Sequence, residues 1–122
     1  MAPRLKRIGF FSEFGFSARG GAPSLREAVR DVAEYDVEAV ARYLRVAPML
    51  AAAPGVVRDV LDPSASAVMT LSIKTDGVYE WPMPLAYHVA RYKLALPAEF
   101  LAHLERRGFQ PPTREELNLP GG

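Results

Sequence analysis

An α+β fold, a small β-hairpin or short antiparallel sheet packed against about four helices, follows from three features of the 122-residue sequence. Residues 68–74 alternate apolar and polar, the period of a half-buried strand, and meet a Thr75-Asp76-Gly77 turn and the aromatic segment Val78-Tyr79-Glu80-Trp81. Two amphipathic helix patterns come next, opened by Pro84 and Pro97, a residue suited to a helix's first turn. Two more come earlier, opened by Ser24 and Asp36, both good N-cap types.

Taken in order, residues 8–16 hold four of the six Phe residues. That density predicts a buried extended segment or an arm laid on the body, and two glycines argue against a regular strand. Residues 17–23 read as a loop. Ser24-Leu25-Arg26-Glu27 has the form of a capping box, each end side chain serving the other's backbone N–H. Leu25, Ala28, Val29 and Val32 then form an apolar stripe at helical spacing. Asp36 caps a second helix with Val37, Val40, Ala41 and Leu44 inward. Pro48 and Pro54-Gly55 bracket two short helical turns, Met49–Ala53 and Val56–Leu61, the latter ended by Asp62-Pro63-Ser64.

Two hairpin registers compete. A two-residue Asp76-Gly77 turn mixes apolar and polar residues on both faces. A three-residue loop, Thr75-Asp76-Gly77 with Gly77 left-handed, pairs Ile73 with Tyr79 and Leu71 with Trp81. It collects Met69, Leu71, Ile73, Tyr79 and Trp81 on one face, and a slip would forfeit that face. The three-residue loop is therefore predicted. Pro82 and Pro84 end the strand. Leu85, Val89 and Tyr92 line the next helix, with His88 beside them. Phe100, Leu101 and Leu104 line the last, which Arg106, Arg107 and Gly108 close. Thr113-Arg114-Glu115-Glu116 can cap one short turn. The chain reads as one domain, 1–122, with residues 1–7 and 110–122 peripheral or flexible.

Composition narrows the function. Hydrophobic residues make up 49% of the chain, enough for a core. With no cysteine there is no disulfide, thiol nucleophile or Cys-based metal site. The 15 basic and 14 acidic residues leave a net charge of +1, so nucleic acid is not an expected partner. The basic N-terminus lacks the apolar run of a secretory signal, and no segment is long enough to span a bilayer; the expected setting is cytoplasmic, with no membrane partner.

Catalytic patterns are weak. Gly15–Ala22 has a phosphate-loop outline, but Ala22 and Pro23 stand where Lys and Ser/Thr are needed. His88 and His103 belong to no metal motif; His88 is expected half-buried with one nitrogen satisfied, and His103 on the surface. The carboxylate pairs Glu34/Asp36, Asp59/Asp62 and Glu115/Glu116 fit capping or solvation better than acid/base work. No cofactor, metal or catalytic residue is assigned. What remains is aromatic: Tyr43, Tyr79, Trp81, Tyr87 and Tyr92 could line a groove or fill the core. The hairpin register favours the core for Tyr79 and Trp81. Tyr87 and Arg91, i and i+4 on the outer face of the Pro84 helix, form the candidate contact patch with His88, and Trp81 is retained as a fourth binding candidate.

Thr75-Asp76-Gly77-Val78-Tyr79-Glu80-Trp81, then Leu85-Ala86-Tyr87, Val89, Tyr92 and Leu96-Pro97-x-Glu99-Phe100, resembles a group of small bacterial proteins, largely actinobacterial. Their pattern is TDG-aromatic-x-W, L-x-Y-x-V-x-x-Y and LP-x-EF, and the N-terminal IGFFSEFG is similar too. His88 departs from it, since such sequences often carry Tyr there. The resemblance brings no enzyme activity with it. It implies an interaction role of the kind held by immunity-type proteins, which neutralise bacterial toxins by binding them. The leading expectation is a non-enzymatic protein-interaction domain. The alternative is a small-molecule-binding domain or enzyme with a pocket near Trp81, Tyr87 and His88. Oligomeric state is open, and an exposed hairpin edge would allow a homodimer.

Overall fold

The N-terminal segment pairs with a hairpin some seventy residues later in the chain. A computed structural model describes residues 4–16 and 22–119; most of the predicted loop 17–23, and with it the Gly15–Ala22 outline, lies outside the described residues. Strand β1 (Lys6–Arg7) runs parallel to β6 (Tyr79–Pro82), with Lys6 opposite Tyr79. Strand β5 (Ile73–Thr75) pairs antiparallel with β6 on one side and with β2 (Met49–Ala51) on the other. The four-stranded sheet has the order β1-β6-β5-β2. Strands β3 (Val56–Arg58) and β4 (Val68–Thr70) form a separate antiparallel ribbon. Four helices complete the described residues: α1 (Leu25–Ala28), α2 (Val37–Val46), α3 (Pro84–Tyr92) and α4 (Ala98–Arg106). The α+β class holds, and the sheet is larger than the expected hairpin.

Three local expectations fail for physical reasons. The Pro-bracketed segments 49–53 and 56–61 are largely strands, not helical turns. Five residues between Pro48 and Pro54 are too few to nucleate a helix, while β5 offers the backbone a partner at once. Val56-Val57 is a β-branched pair, which favours extended backbone. The predicted strand 68–74 is likewise broken at Leu71-Ser72, so that β4 belongs to the ribbon and β5 to the main sheet.

The hairpin register also differs. Lys74 lies opposite Trp81, and Thr75 opposite Glu80. The turn tightens around Gly77 (φ +88°) and Val78. Asp76 Oδ1 accepts from the amides of Val78 (3.0 Å) and Tyr79 (2.7 Å), and the Asp76 amide donates to the Tyr79 carbonyl at 3.2 Å. Polar residues therefore share the face of Tyr79 and Trp81, and helix α2 explains why this is tolerated. A helix leaves its last carbonyls unpaired. Trp81 Nε1 donates to the Leu44 carbonyl at 3.1 Å, and Lys74 Nζ donates to those of Arg45 and Ala47 at 2.9 Å each. Tyr79 and Trp81 are buried, as expected.

Capping of α1 is non-local. Ser24 makes no side-chain cap bond within its own helix. Instead Glu13, in a 3-10 turn (Ser12–Phe14), accepts from the amides of Leu25 (2.8 Å) and Arg26 (2.9 Å) and from the Ser24 hydroxyl (2.9 Å). The helix ends after one turn, and Val32, expected on the apolar stripe, is 78% exposed. The Phe-rich arm packs on the body as expected: Ile8, Phe10, Phe11 and Phe14 are all buried. The core beneath it is Leu25, Val40, Leu44, Leu85, Val89, Leu94, Phe100 and Leu104.

The C-terminal segment, expected to be peripheral or flexible, is docked as far as Leu119. Thr113 and Glu116 complete a reciprocal capping box (Glu116 N–Thr113 Oγ1 3.1 Å, Thr113 N–Glu116 Oε1 3.2 Å). Arg114 donates to the Met49 carbonyl at 2.6 Å, and Leu117 lies against Gly77.

Candidate functional site

The outer side of α3 holds the predicted patch. Pro84 opens the helix and sets Tyr87 and Arg91 one turn apart, and Arg91 Nη1 donates to the Tyr87 hydroxyl at 2.7 Å. Nothing in the local pattern signals that both converge on Asp59, which follows β3. Asp59 is fully buried as a side chain and takes hydrogen bonds from Tyr87 (2.9 Å), from Tyr92 (2.6 and 2.7 Å) and from the amides of Leu61 and Asp62 (2.9 Å each). Arg91 reaches Asp59 at 3.1 Å and Asp62 at 2.6 Å. Burial alone would raise the Asp59 carboxyl, but its hydrogen bonds outweigh burial and hold it at about 2. Tyr92 is pushed up to about 12 by burial and by donating to that carboxylate. The sequence places Asp59 at a turn. It holds that turn through its contacts to Leu61 and Asp62, and it also clamps the turn to α3.

His88 lies inside this cluster. It is 0% exposed, and both its ring nitrogens are engaged. The Nδ1 proton goes to the Pro84 carbonyl at 2.8 Å, and Nε2 accepts from the Val60 amide at 3.3 Å. These contacts define a neutral imidazole, and burial pushes its pKa down. The expected half-burial with one satisfied nitrogen gives way to complete burial with two. Phe14, at 5.0 Å between ring centroids, closes one side and Tyr92 stacks on another at 5.9 Å. Trp81 is also 0% exposed. Of the four predicted binding residues, only Tyr87 and Arg91 reach the surface. His103 was expected there too, but its side chain is only 12% exposed. Its Nε2 donates to Asp76 Oδ2 at 2.8 Å, beside the Tyr43 hydroxyl at 2.6 Å on the same oxygen.

The α3 patch therefore spends its polar groups internally. A different surface is concave. A cleft of about 690 Å³ opens between the Phe-rich arm and the linker joining α3 to α4. Ile8, Phe10 and Phe16 form one wall, and Ala28, Leu96 and Pro97 the other. A second concavity of about 310 Å³ shares Arg30, Ala95 and Leu96 with it and continues toward Val32 and Tyr35. Together they make one groove along residues 93–97. The linker is fixed from beneath: the Ala95 amide donates to Ala28 at 2.7 Å, and the Arg30 amide to Tyr92 at 3.2 Å. Tyr35 donates to the Leu94 carbonyl at 2.6 Å. Trp81, Tyr87, His88 and Arg91 line neither part of the groove.

Charge around the groove is unevenly committed. Arg30 Nη1 donates to the carbonyls of Glu27 (2.8 Å) and Val29 (2.9 Å). Lys93 donates to the Asp31 carbonyl at 3.1 Å. The Arg7 guanidinium lies 3.8 Å over the Phe10 ring, with Nε 3.1 Å from Glu80. The arm's aromatic density is legible in the sequence, but the placement of Arg7 by β1 at the rim of the cleft is not. The parallel pairing of β1 with β6 does this, and nothing local encodes it.

Among the described residues, no cluster of His, Asp or Glu is placed to hold a metal ion, and no helix is long and apolar enough to cross a membrane. Comparison with family models, with curated proteins and with solved structures returned no match.

Proposed function

We propose that this chain is a non-enzymatic protein-interaction domain whose partner docks in the groove along residues 93–97. The groove itself carries the reading. It is an extended concavity, mainly apolar in its larger part and mixed in its smaller part, where Arg30, Glu34 and Lys93 join the lining; it is positioned by backbone hydrogen bonds, and exposed Val32 (78%) lines the smaller part. A concavity with a largely apolar lining and a few polar groups at its rim is the usual form of a binding site, and a wall fixed in advance lowers the ordering cost of binding. The finer reading is immunity-like, in which the partner is a bacterial toxin. Its support is the resemblance of the TDGVYEW, LAY and LP-x-EF segments.

A photo-crosslinking residue at Phe10 or Leu96, compared with one at Arg58 on the exposed face of the β3–β4 ribbon, tests the docking site. The expected result is one protein captured from both groove positions and not from Arg58. Capture equal at all three positions, or none at the groove, rejects the proposal. Co-expression with a toxin encoded beside the gene tests the finer reading, and unprotected growth would remove it.

The second reading is a small-molecule-binding domain. Its support is the cleft volume of about 690 Å³, a size that suits a small ligand. A ligand mass retained in native mass spectrometry of protein from the original host would favour it.

A further inference from the structure

We infer that the groove selects an apolar side chain carried next to a carboxylate, with the carboxylate held by Arg7. The inference rests on the groove being the partner site and adds the chemistry of what enters it. Three observations combine. First, Arg7 is fixed in orientation: its guanidinium lies on the Phe10 ring at 3.8 Å, and Nε is 3.1 Å from Glu80. Second, its two terminal nitrogens have no hydrogen-bond partner among the described residues, and its side chain is 59% exposed. Arg30, which also lines the cleft, is tied through Nη1 to the carbonyls of Glu27 and Val29, beside the Glu27 carboxylate, and Lys93 is tied to that of Asp31. Third, the wall below Arg7 is Ile8, Phe10 and Phe16, facing Leu96 and Pro97.

A pair of parallel guanidinium N–H groups matches a carboxylate in two-bond geometry. The apolar walls beneath take an aromatic or branched side chain. The rim also sets the orientation. Glu27 lines the α1 side of the cleft and repels an anion there. The acid therefore goes to the Arg7 end and the apolar body toward Leu96 and Pro97. Glu80 shares the guanidinium and so weakens its hold on an incoming carboxylate.

The test is an NMR titration of the full chain with three probes of one shape: 3-phenylpropionate, 3-phenylpropan-1-ol and 3-phenylpropylamine. The acid is expected to shift the amides of Ile8–Phe11 and Leu96 and the Arg7 Nε–H. It should bind about tenfold tighter than the alcohol, the ratio set by one charge-assisted pair, with the amine weakest. Arg7→Met keeps a stem over Phe10 and should erase the ratio. Glu80→Gln should enlarge it, and this second variant reads the proposal if the first fails to fold. Equal affinities for acid and alcohol, a ratio that survives Arg7→Met, shifts confined to α3, or no binding of any probe would each overturn the inference. Groove crosslinks without an acid preference leave the partner proposal standing and remove the carboxylate. An acid preference without a crosslinked protein does the reverse.

Discussion

Replacing Glu13 by Gln tests whether a carboxylate outside the helix is what starts α1. Glu13 accepts from two first-turn amides, Leu25 and Arg26, and from the hydroxyls of Ser24 and Ser12, all within 3.0 Å. Burial opposes its charge, yet the amides of Arg26 and Leu25 and the Ser24 hydroxyl lower its pKa from 4.5 to about 2. That difference sets a ceiling of about 3 kcal/mol, and solvent screening at a part-exposed site brings it to about 1.5–2 kcal/mol. The range agrees with about 1–2 kcal/mol for a helix cap. Gln keeps the shape but loses the charge and turns an N–H₂ toward an amide. Its expected cost at pH 7 is about 1.5 kcal/mol by urea unfolding, or about 5 °C in Tm. The pH dependence is the sharper readout. With its folded pKa depressed, Glu13 contributes fully above pH 4.5, and the contribution is lost as pH falls from 4.5 toward 2. The gap between wild type and Glu13→Gln should close over that window. A gap that stays constant down to pH 2.5 would show that shape, not charge, is at work and would refute the reasoning.

Three further outcomes are expected. Tyr92→Phe removes the 2.6–2.7 Å donor to Asp59 and should cost about 1–1.5 kcal/mol in urea unfolding, with Asp59→Asn costing more because Arg91 loses its buried partner; no loss in either variant would mean that the clamp does not bear on stability. The lowered pKa of His88 means the folded chain resists protonating it while the unfolded chain does not, so its effect is a loss of stability as pH drops below the ordinary histidine value. Imidazole ¹⁵N shifts should show a ring that stays neutral, protonated on Nδ1, below the pH at which a free histidine titrates, and a ring that takes up its second proton in the ordinary histidine range would contradict the assignment. Gly77→Ala meets both a φ of +88° and a Leu117 methyl 2.7 Å from the new Cβ, for an expected loss of about 1–2 kcal/mol; adding Leu117→Ala should recover only the contact part, and full recovery would show that the dihedral carries no strain.

What was legible in the sequence was local. Asp36 caps α2 by accepting from Ala39 at 3.1 Å, Pro84 and Pro97 stand at the starts of α3 and α4, and Gly77 and Gly108 have positive φ. Each depends on residues within one turn of itself. The misses share the opposite property. Ser24-x-x-Glu27 has the form of a capping box, but Glu13, eleven residues before Ser24, occupies its donors. Met49–Ala51 carries a helix-tolerant composition, and an open strand edge decides it. Among the candidate residues, Tyr87 and Arg91 were paired by i, i+4 spacing. Asp59, which both contact, comes from a turn 28 residues before Tyr87.

The hairpin register shows why face-counting misled. The rule that one sheet face must be apolar assumes that nothing beneath it needs hydrogen bonds. Here the end of α2 lies beneath, presenting carbonyls that must be paired. A lysine and an indole N–H on the core face meet that need, and Lys74 adds a cation at the helix C-terminus, where the backbone dipole favours one. The polar positions that made the observed register look wrong are the ones that hold the sheet to the helix. The same condition separates the two candidate surfaces. On the outer face of α3, Asp59, Tyr87, Tyr92 and Arg91 satisfy one another. At the groove rim the two terminal nitrogens of Arg7 have no hydrogen-bond partner among the described residues, which is why the proposed partner contact is placed there and not on α3.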